Sequence, residues 1–222
     1  MYRKELTYYF STPVAYIVIA LFLVGVSLFL WVIPGEWNIL ESGYAQIDGL
    51  FAIAPWLLIL LCPALAMRLF AEERTSGTWD LLVVNQNGAI GRIVWAKYAA
   101  SLTVVILSLL PTIVHYFIVY AIAEPVGNVD GGAFAGSFIG LLLLAAALLA
   151  VSVLAAAVTT NQLVAFMLGA LSCFILYWTV LQQRFESMAR GVVDLKDVMF
   201  LLSVALLAVA LATPLLHRLT KL

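Results

Sequence analysis

Charge is the scarcest property of this chain. Only 10% of its 222 residues are Asp, Glu, Lys or Arg, while 65% are apolar and the mean hydropathy is +1.10. Soluble domains are about 25% charged and about 45–50% apolar. A 24.2 kDa globule cannot bury an apolar fraction of that size, so a soluble enzyme, a secreted module and a disordered chain are excluded together.

Other scarcities narrow the reading. The formal net charge is −1, which leaves no basic surface for nucleic acid and no acidic tail. Two cysteines, Cys62 and Cys173, both sit in apolar runs; they fit buried, inert thiols and provide neither a disulfide framework nor a zinc spacing. The two histidines, His115 and His217, are far apart, and no His or carboxylate cluster offers a metal site. His115 is read as a polar residue hydrogen-bonded to a neighbouring helix rather than a proton relay. No Gly-rich loop ending in Lys-Ser or Lys-Thr is present, so P-loop nucleotide hydrolysis is excluded. No Asp, Glu, Lys or Arg stands in the middle of an apolar run, which disfavours a proton- or sodium-coupled carrier and a polar ion path. The chain is therefore expected to be non-catalytic, with no cofactor and no metal.

What the sequence does contain is long apolar runs. A helix crossing a bilayer core of about 30 Å needs about 20 apolar residues. Six runs meet that length, at 13–33, 49–69, 98–123, 132–158, 162–182 and 197–216. The first is too long for a signal-peptide core and no small-residue cleavage pattern follows it. Strands of alternating polarity are absent, so the expected class is all-α: a single polytopic membrane domain of six transmembrane helices rather than a barrel. The uncharged stretch from Gly131 to Gln183 supplies two spans, turned by Thr159-Thr160-Asn161-Gln162. Pro55, Pro63 and Pro111 are expected to kink their helices.

Orientation follows from the basic residues. Arg3, Lys4, Arg68, Arg74, Arg92, Lys97, Arg218 and Lys221 fall on one side, eight of the 11; Arg184, Arg190 and Lys196 fall on the other. The positive-inside rule then puts both termini in the cytoplasm of a multi-pass inner-membrane protein. Residues 1–12, rich in Tyr with Arg3, Lys4 and Glu5, fit an interfacial amphipathic helix, either a plain anchor for the first span or a partner contact. The external stretch 183–196 reads as an amphipathic helix offered to a partner, or as a lid on the bundle. Gly132, Gly136 and Gly140 repeat at four-residue spacing and permit close helix approach, within one bundle or at a dimer seam.

The most informative stretch is the cytoplasmic one, residues 70–97. Gly77 suits a helix C-terminus and Thr78 a following N-cap, with Asp80 in the first turn. The short helix that follows presents Trp79, Leu81, Leu82 and Val83, and Asn85-Gln86-Asn87-Gly88 ends it. Such an apolar knob either lies on the headgroups or is covered by a partner.

The pattern E-E-R-x-x-G-T-W-D-L-L at Glu72 to Leu82, followed by Gly91-Arg92 and Lys97, resembles the type-2 ABC exporter permeases. A second stretch, R-G-V-V-D-L-K-D-V-M-F at Arg190 to Phe200, is similar to the segment before the last span in that family. The opening K-E-L-x-x-Y-F-x-x-P-x-A-Y at Lys4 to Tyr16 is most similar to its gliding-motility-associated members; permeases that mature the copper site of nitrous oxide reductase share similar motifs. The resemblance implies a permease subunit whose partners are a cytoplasmic ATPase dimer and a second permease copy or a different membrane or substrate-binding subunit. It places Glu72, Glu73, Gly77, Thr78, Trp79, Leu81 and Leu82 in an ATPase-coupling region. Glu72 and Glu73 then pair with basic residues of the ATPase, or locally with Arg68, Arg74 or Lys97, and Trp79 and Leu82 are expected to carry most of the docking. A second reading is a membrane scaffold that passes ATPase-driven motion to an external partner without moving a solute.

Overall fold

The computed structural model describes residues 1–45, 47–85 and 89–219, and every regular element among them is helical. In chain order these are α1 (Tyr2–Ser11), α2 (Pro13–Trp31), α3 (Asp48–Ala66), α4 (Arg68–Thr75), α5 (Trp79–Asn85), α6 (Ile90–Leu109), α7 (Ile113–Ile122), α8 (Gly131–Val158), α9 (Gln162–Leu176), α10 (Gln182–Ala189) and α11 (Leu195–Leu219). Six helical stretches are long and apolar enough to cross a membrane: 13–31, 48–75, 90–122, 131–158, 162–189 and 195–217. The chain is an all-α, multi-pass membrane protein.

Local chemistry sets several boundaries. Thr12 is extended, as a residue before proline prefers, and Pro13 opens α2 at the position where its missing N–H costs nothing. Asp130 caps α8 by accepting from the N–H groups of Gly132 and Ala133 at 2.9 and 3.0 Å. Asn161 caps α9 by accepting from Leu163 N–H at 2.9 Å and from Val164 N–H. Both caps satisfy donors that a helix start leaves orphaned. Pro111 interrupts its span with a 3-10 turn at Leu110–Thr112, whereas Pro55 and Pro63 lie inside α3, which ends shortly after the second.

Helices α8 and α3 form the centre. Buried residues make up 67% and 61% of their apolar stretches, against 22–33% in the other four. Leu141, Leu144, Leu148 and Leu149 of α8 are wholly enclosed, interleaved with Ala145, Ala147 and Ala150. Lipid tails are as apolar as leucine, so association rests on close van der Waals packing, which those alanines permit. The same logic explains why Leu21, Leu60, Phe117 and Leu206 face outward. Polar contacts also join helices inside the bundle: Trp31 Nε1 donates to His115 Nδ1 at 3.0 Å, as expected for an interhelical histidine.

Some helices run past the expected spans. The helix that carries the third one begins at Ile90, eight residues before Tyr98. Lys97 therefore lies inside the helix, because its charge is compensated rather than solvated. The helix of the fifth span runs on through a π-helical turn at Tyr177–Leu181 into α10, which ends at Ala189. The stretch 183–196 holds α10 up to Ala189, a turn at Arg190-Gly191, and the start of α11 at Leu195. Arg184 and Asp197, 2.8 Å apart across this turn, clamp the two helices together.

Candidate functional site

Helix α4 extends α3 past one residue, Met67, and carries the acidic pair. Its end is a Schellman turn: Thr78 N–H donates to Glu73 O at 3.0 Å and Gly77 N–H to Arg74 O at 3.3 Å. Gly77 sits at φ +70°, the left-handed conformation that glycine adopts without strain. The Thr78 carbonyl then accepts the first bond of α5, from Leu82 N–H at 3.1 Å. Its hydroxyl turns back toward Ser76 Oγ at 2.8 Å and Glu73 O at 3.4 Å. Gly77 and Thr78 thus build the corner between α4 and α5.

Both carboxylates of the acidic pair are engaged within the chain. Lys97, 2% exposed, places its Nζ 2.9 Å from Glu73 Oε1 and 3.1 Å from Glu5 Oε2. One ammonium thereby joins three elements: α1 through Glu5, α4 through Glu73 and its own α6. Glu72 accepts from the Tyr8 hydroxyl at 2.7 Å. Burial, reinforced by that hydrogen bond and by the charge of Glu72, pushes the Tyr8 phenol up to about 12, so it remains a donor at any physiological pH. Tyr9 is buried beside Ser101, 2.8 Å from its Oγ, and burial raises its phenol as well. Tyr2 reaches Thr103 Oγ1 at 2.9 Å. Helix α1 is therefore fastened to α4 and α6 by four side chains.

Helix α5 presents a different face from the one expected. Trp79 is 4% exposed, packed edge-on against Phe70 at 6.0 Å and beneath the guanidinium of Arg74 at 5.6 Å. Leu82 and Val83 are half-buried against the core. The outward apolar side chains are Leu81 and Val84, 71% and 75% exposed. Trp79 is an anchor for α5 and not its exposed surface, because a ring that can stack on Phe70 and a guanidinium gains more from that than from water. Around this corner Glu73 Oε2, Arg74 Nη2 and Trp79 Nε1 are buried without a hydrogen-bond partner among the described residues. The expected break at Gln86-Asn87-Gly88, and the side chain of Asp80, lie outside the described residues.

No family model and no curated protein matches the chain.

The glycine spacing on α8 resolves within the chain. A Cβ on Gly136 would fall 2.7 Å from Gly191 O, and one on Gly140 would fall 2.8 Å from Met188 Cβ. Ser137 lies on the same face and donates to Ala189 O at 2.9 Å. Gly136 and Gly140 thus let α10 and its following turn close down on α8. Gly132 takes no part: its Cβ position meets only Asp130 Oδ1, at 3.3 Å.

Three features escape sequence reading. Glu5 is one, because nothing local links it to a lysine 92 positions away. Tyr8, the partner of Glu72, is another; its signal is the run Tyr8-Tyr9 beside a charged segment. The third is the burial of Trp79 beneath Arg74, for which aromatic and basic residues five apart are a weak cue.

Proposed function

We propose that the chain is the membrane-spanning permease subunit of an export-type, ATP-driven ABC transporter, and that a separate ATPase docks on α5. The observation that carries this is the division of α5 into two sides. One is anchored through Trp79 on Phe70 and Arg74; the other offers Leu81 and Val84. An apolar pair held outward on an anchored helix suits capture by a partner. The resemblance of Glu72 to Leu82 to the type-2 exporter permeases supports the same reading, and the opening at Lys4 to Tyr16 is similar to the gliding-motility-associated members.

The linkage behind α5 suits the transmission of force. A push on α5 reaches α4 through the Gly77 corner, and α4 continues α3. Lys97 ties α4 to α6 and, through Glu5, to α1, which leads into α2. Three spans would then move together as a rigid body, the kind of motion that alternating access needs, with nucleotide supplying the bias. An ATPase dimer implies two such permease halves, either two copies of this chain or one with a second membrane subunit. The positive-inside count supports a cytoplasmic side for α1, α4, α5 and both termini, which suits a permease of the inner membrane.

The test is co-purification with ATPase activity. Wild-type chain should bring down a P-loop ATPase and hydrolyse ATP. The Leu81→Asp, Val84→Asp double variant should keep its helical spectrum and melting temperature while losing both. Retention of the ATPase by the double variant would overturn the docking site.

A further inference from the structure

The end of the bundle opposite α5 holds an open cleft of 640 Å³ between the start of α3 and the π-helical turn leading into α10. Its walls are aromatic: Trp37, Phe51, Trp56, Tyr177 and Phe185. Trp37 and Trp56 keep nearly half of their surface open, while the other three are buried and form a fixed floor. Trp56 is held in place by neighbouring rings, Tyr177 of the same lining at 5.7 Å and Phe174 at 6.2 Å.

The charges in the lining lean negative. Asp48 and Glu186 face a single basic residue, Arg190, giving a formal sum of −1. Glu186 is steadied by Gln182, whose Nε2 donates to its Oε1 at 2.8 Å. Neither Asp48 nor Arg190 forms an ion pair among the described residues. Arg184, the other guanidinium nearby, is committed to Asp197 at 2.8 Å and stacks over Phe200 at 5.2 Å.

The cleft is built in advance of any ligand. On one side Gly49 lets the chain before α3 come close, since a Cβ there would meet Trp37 O at 2.7 Å; this approach sets Trp37 over the opening. On the other side Gly136 and Gly140 seat α10, which carries Phe185 and Glu186. The π-helical turn that presents Tyr177 belongs to a rare class found disproportionately at functional sites.

We propose that this cleft binds an amphiphilic organic cation, its apolar body against the rings and its charge held by Asp48 and Glu186. Aromatic faces carry the negative part of the ring quadrupole and attract cations, more strongly where water is partly excluded. The lining's net charge of −1 adds a long-range attraction that a neutral apolar ligand would not use, and it disfavours an anion of the same shape. The cleft requires no ATPase to bind, so the inference stands or falls independently of docking at α5.

Tetraphenylphosphonium and tetraphenylborate share one shape and carry opposite charges, which makes them the probes. Binding to the full purified chain in an uncharged detergent is read by equilibrium dialysis and by quenching of tryptophan fluorescence. The phosphonium should bind saturably and about tenfold more tightly than the borate, a difference of about 1.4 kcal/mol. The double variant Asp48→Asn, Glu186→Gln replaces two exposed carboxylates, so it should keep the wild-type melting temperature. It should bind the phosphonium about tenfold more weakly and lose the preference. Trp56→Ala should weaken both ions by shrinking the aromatic wall. Equal binding of the two ions, no saturable binding, or undiminished phosphonium affinity in the double carboxylate variant would overturn the proposal.

Discussion

Lys97 donates to Glu73 across 2.9 Å and to Glu5 across 3.1 Å, so that one buried ammonium joins α6 to both α4 and α1. A lysine that is 2% exposed is stable only where carboxylates compensate it. Removal of the ammonium leaves two enclosed carboxylates facing each other. Lys97→Met should therefore lower stability by about 3–5 kcal/mol, the scale for breaking a buried pair from one side. The triple variant Lys97→Met, Glu5→Gln, Glu73→Gln should recover much of that loss, since no uncompensated charge remains. Thermal unfolding in detergent measures both; an unchanged melting temperature for Lys97→Met would contradict the arrangement.

A second prediction separates the three glycines of α8. Gly136→Ala forces its methyl onto the backbone carbonyl of Gly191, 2.7 Å from the ideal position, and nothing at the end of a flexible side chain can give way. The expected cost is about 1–3 kcal/mol, as for overpacking elsewhere. Gly132→Ala meets only Asp130 Oδ1 at 3.3 Å and gains helix propensity, so it should stay within about 0.5 kcal/mol of wild type. Melting temperatures of the two single variants give the comparison.

Tyr8 makes a prediction in alkali. Its folded-state phenol titrates near 12, above the ordinary 10, because burial and then the hydrogen bond to Glu72 disfavour the phenolate. Below pH 10 the native and unfolded chains both hold the proton and the contribution is fully present. Between 10 and 12 the native chain holds more protons than the unfolded one, so stability falls as pH rises. Other phenols and lysines titrate in the same window, so the readout is a difference. Tyr8→Phe should show a shallower loss of melting temperature from pH 9 to 11 than wild type. Parallel curves would remove the assigned hydrogen bond.

Capping of the central helix supplies a fourth. Asp130 Oδ1 accepts from two N–H groups at the start of α8. Asp130→Ala should cost about 1 kcal/mol, and Asp130→Asn should cost less because its amide oxygen can still accept. A cost for Asp130→Asn equal to that for alanine would mean that charge, not capping, is what the position supplies.

The six spans were legible because charges are costly in lipid and therefore punctuate the apolar runs. The same rule does not show that α6 starts before Lys97: the lysine reads as an edge, and its compensating carboxylates lie 92 and 24 positions away, where no local pattern reveals them. The Gly77 corner was readable, since a left-handed turn demands a particular residue. Which side of α5 faces outward was not, because Trp79, Leu81 and Leu82 are all apolar and only the placement of Phe70 and Arg74 selects the tryptophan for burial. The turn at Arg190-Gly191 hides for a related reason. Gly191 holds φ +81° and lies close enough to α8 that a Cβ would sit 2.4 Å from Ala133 Cα, a tertiary constraint with no local signature.

The proposed docking of an ATPase on α5 is tested most directly by a photocrosslinker in native membranes. With a benzophenone amino acid at Leu81, light should yield an adduct with a P-loop ATPase, and the same group at Val192, exposed in the turn before α11, should yield none. If the group at Leu81 crosslinks only to lipid, α5 lies on the membrane surface and the docking account fails; no ATPase adduct at all contradicts it equally.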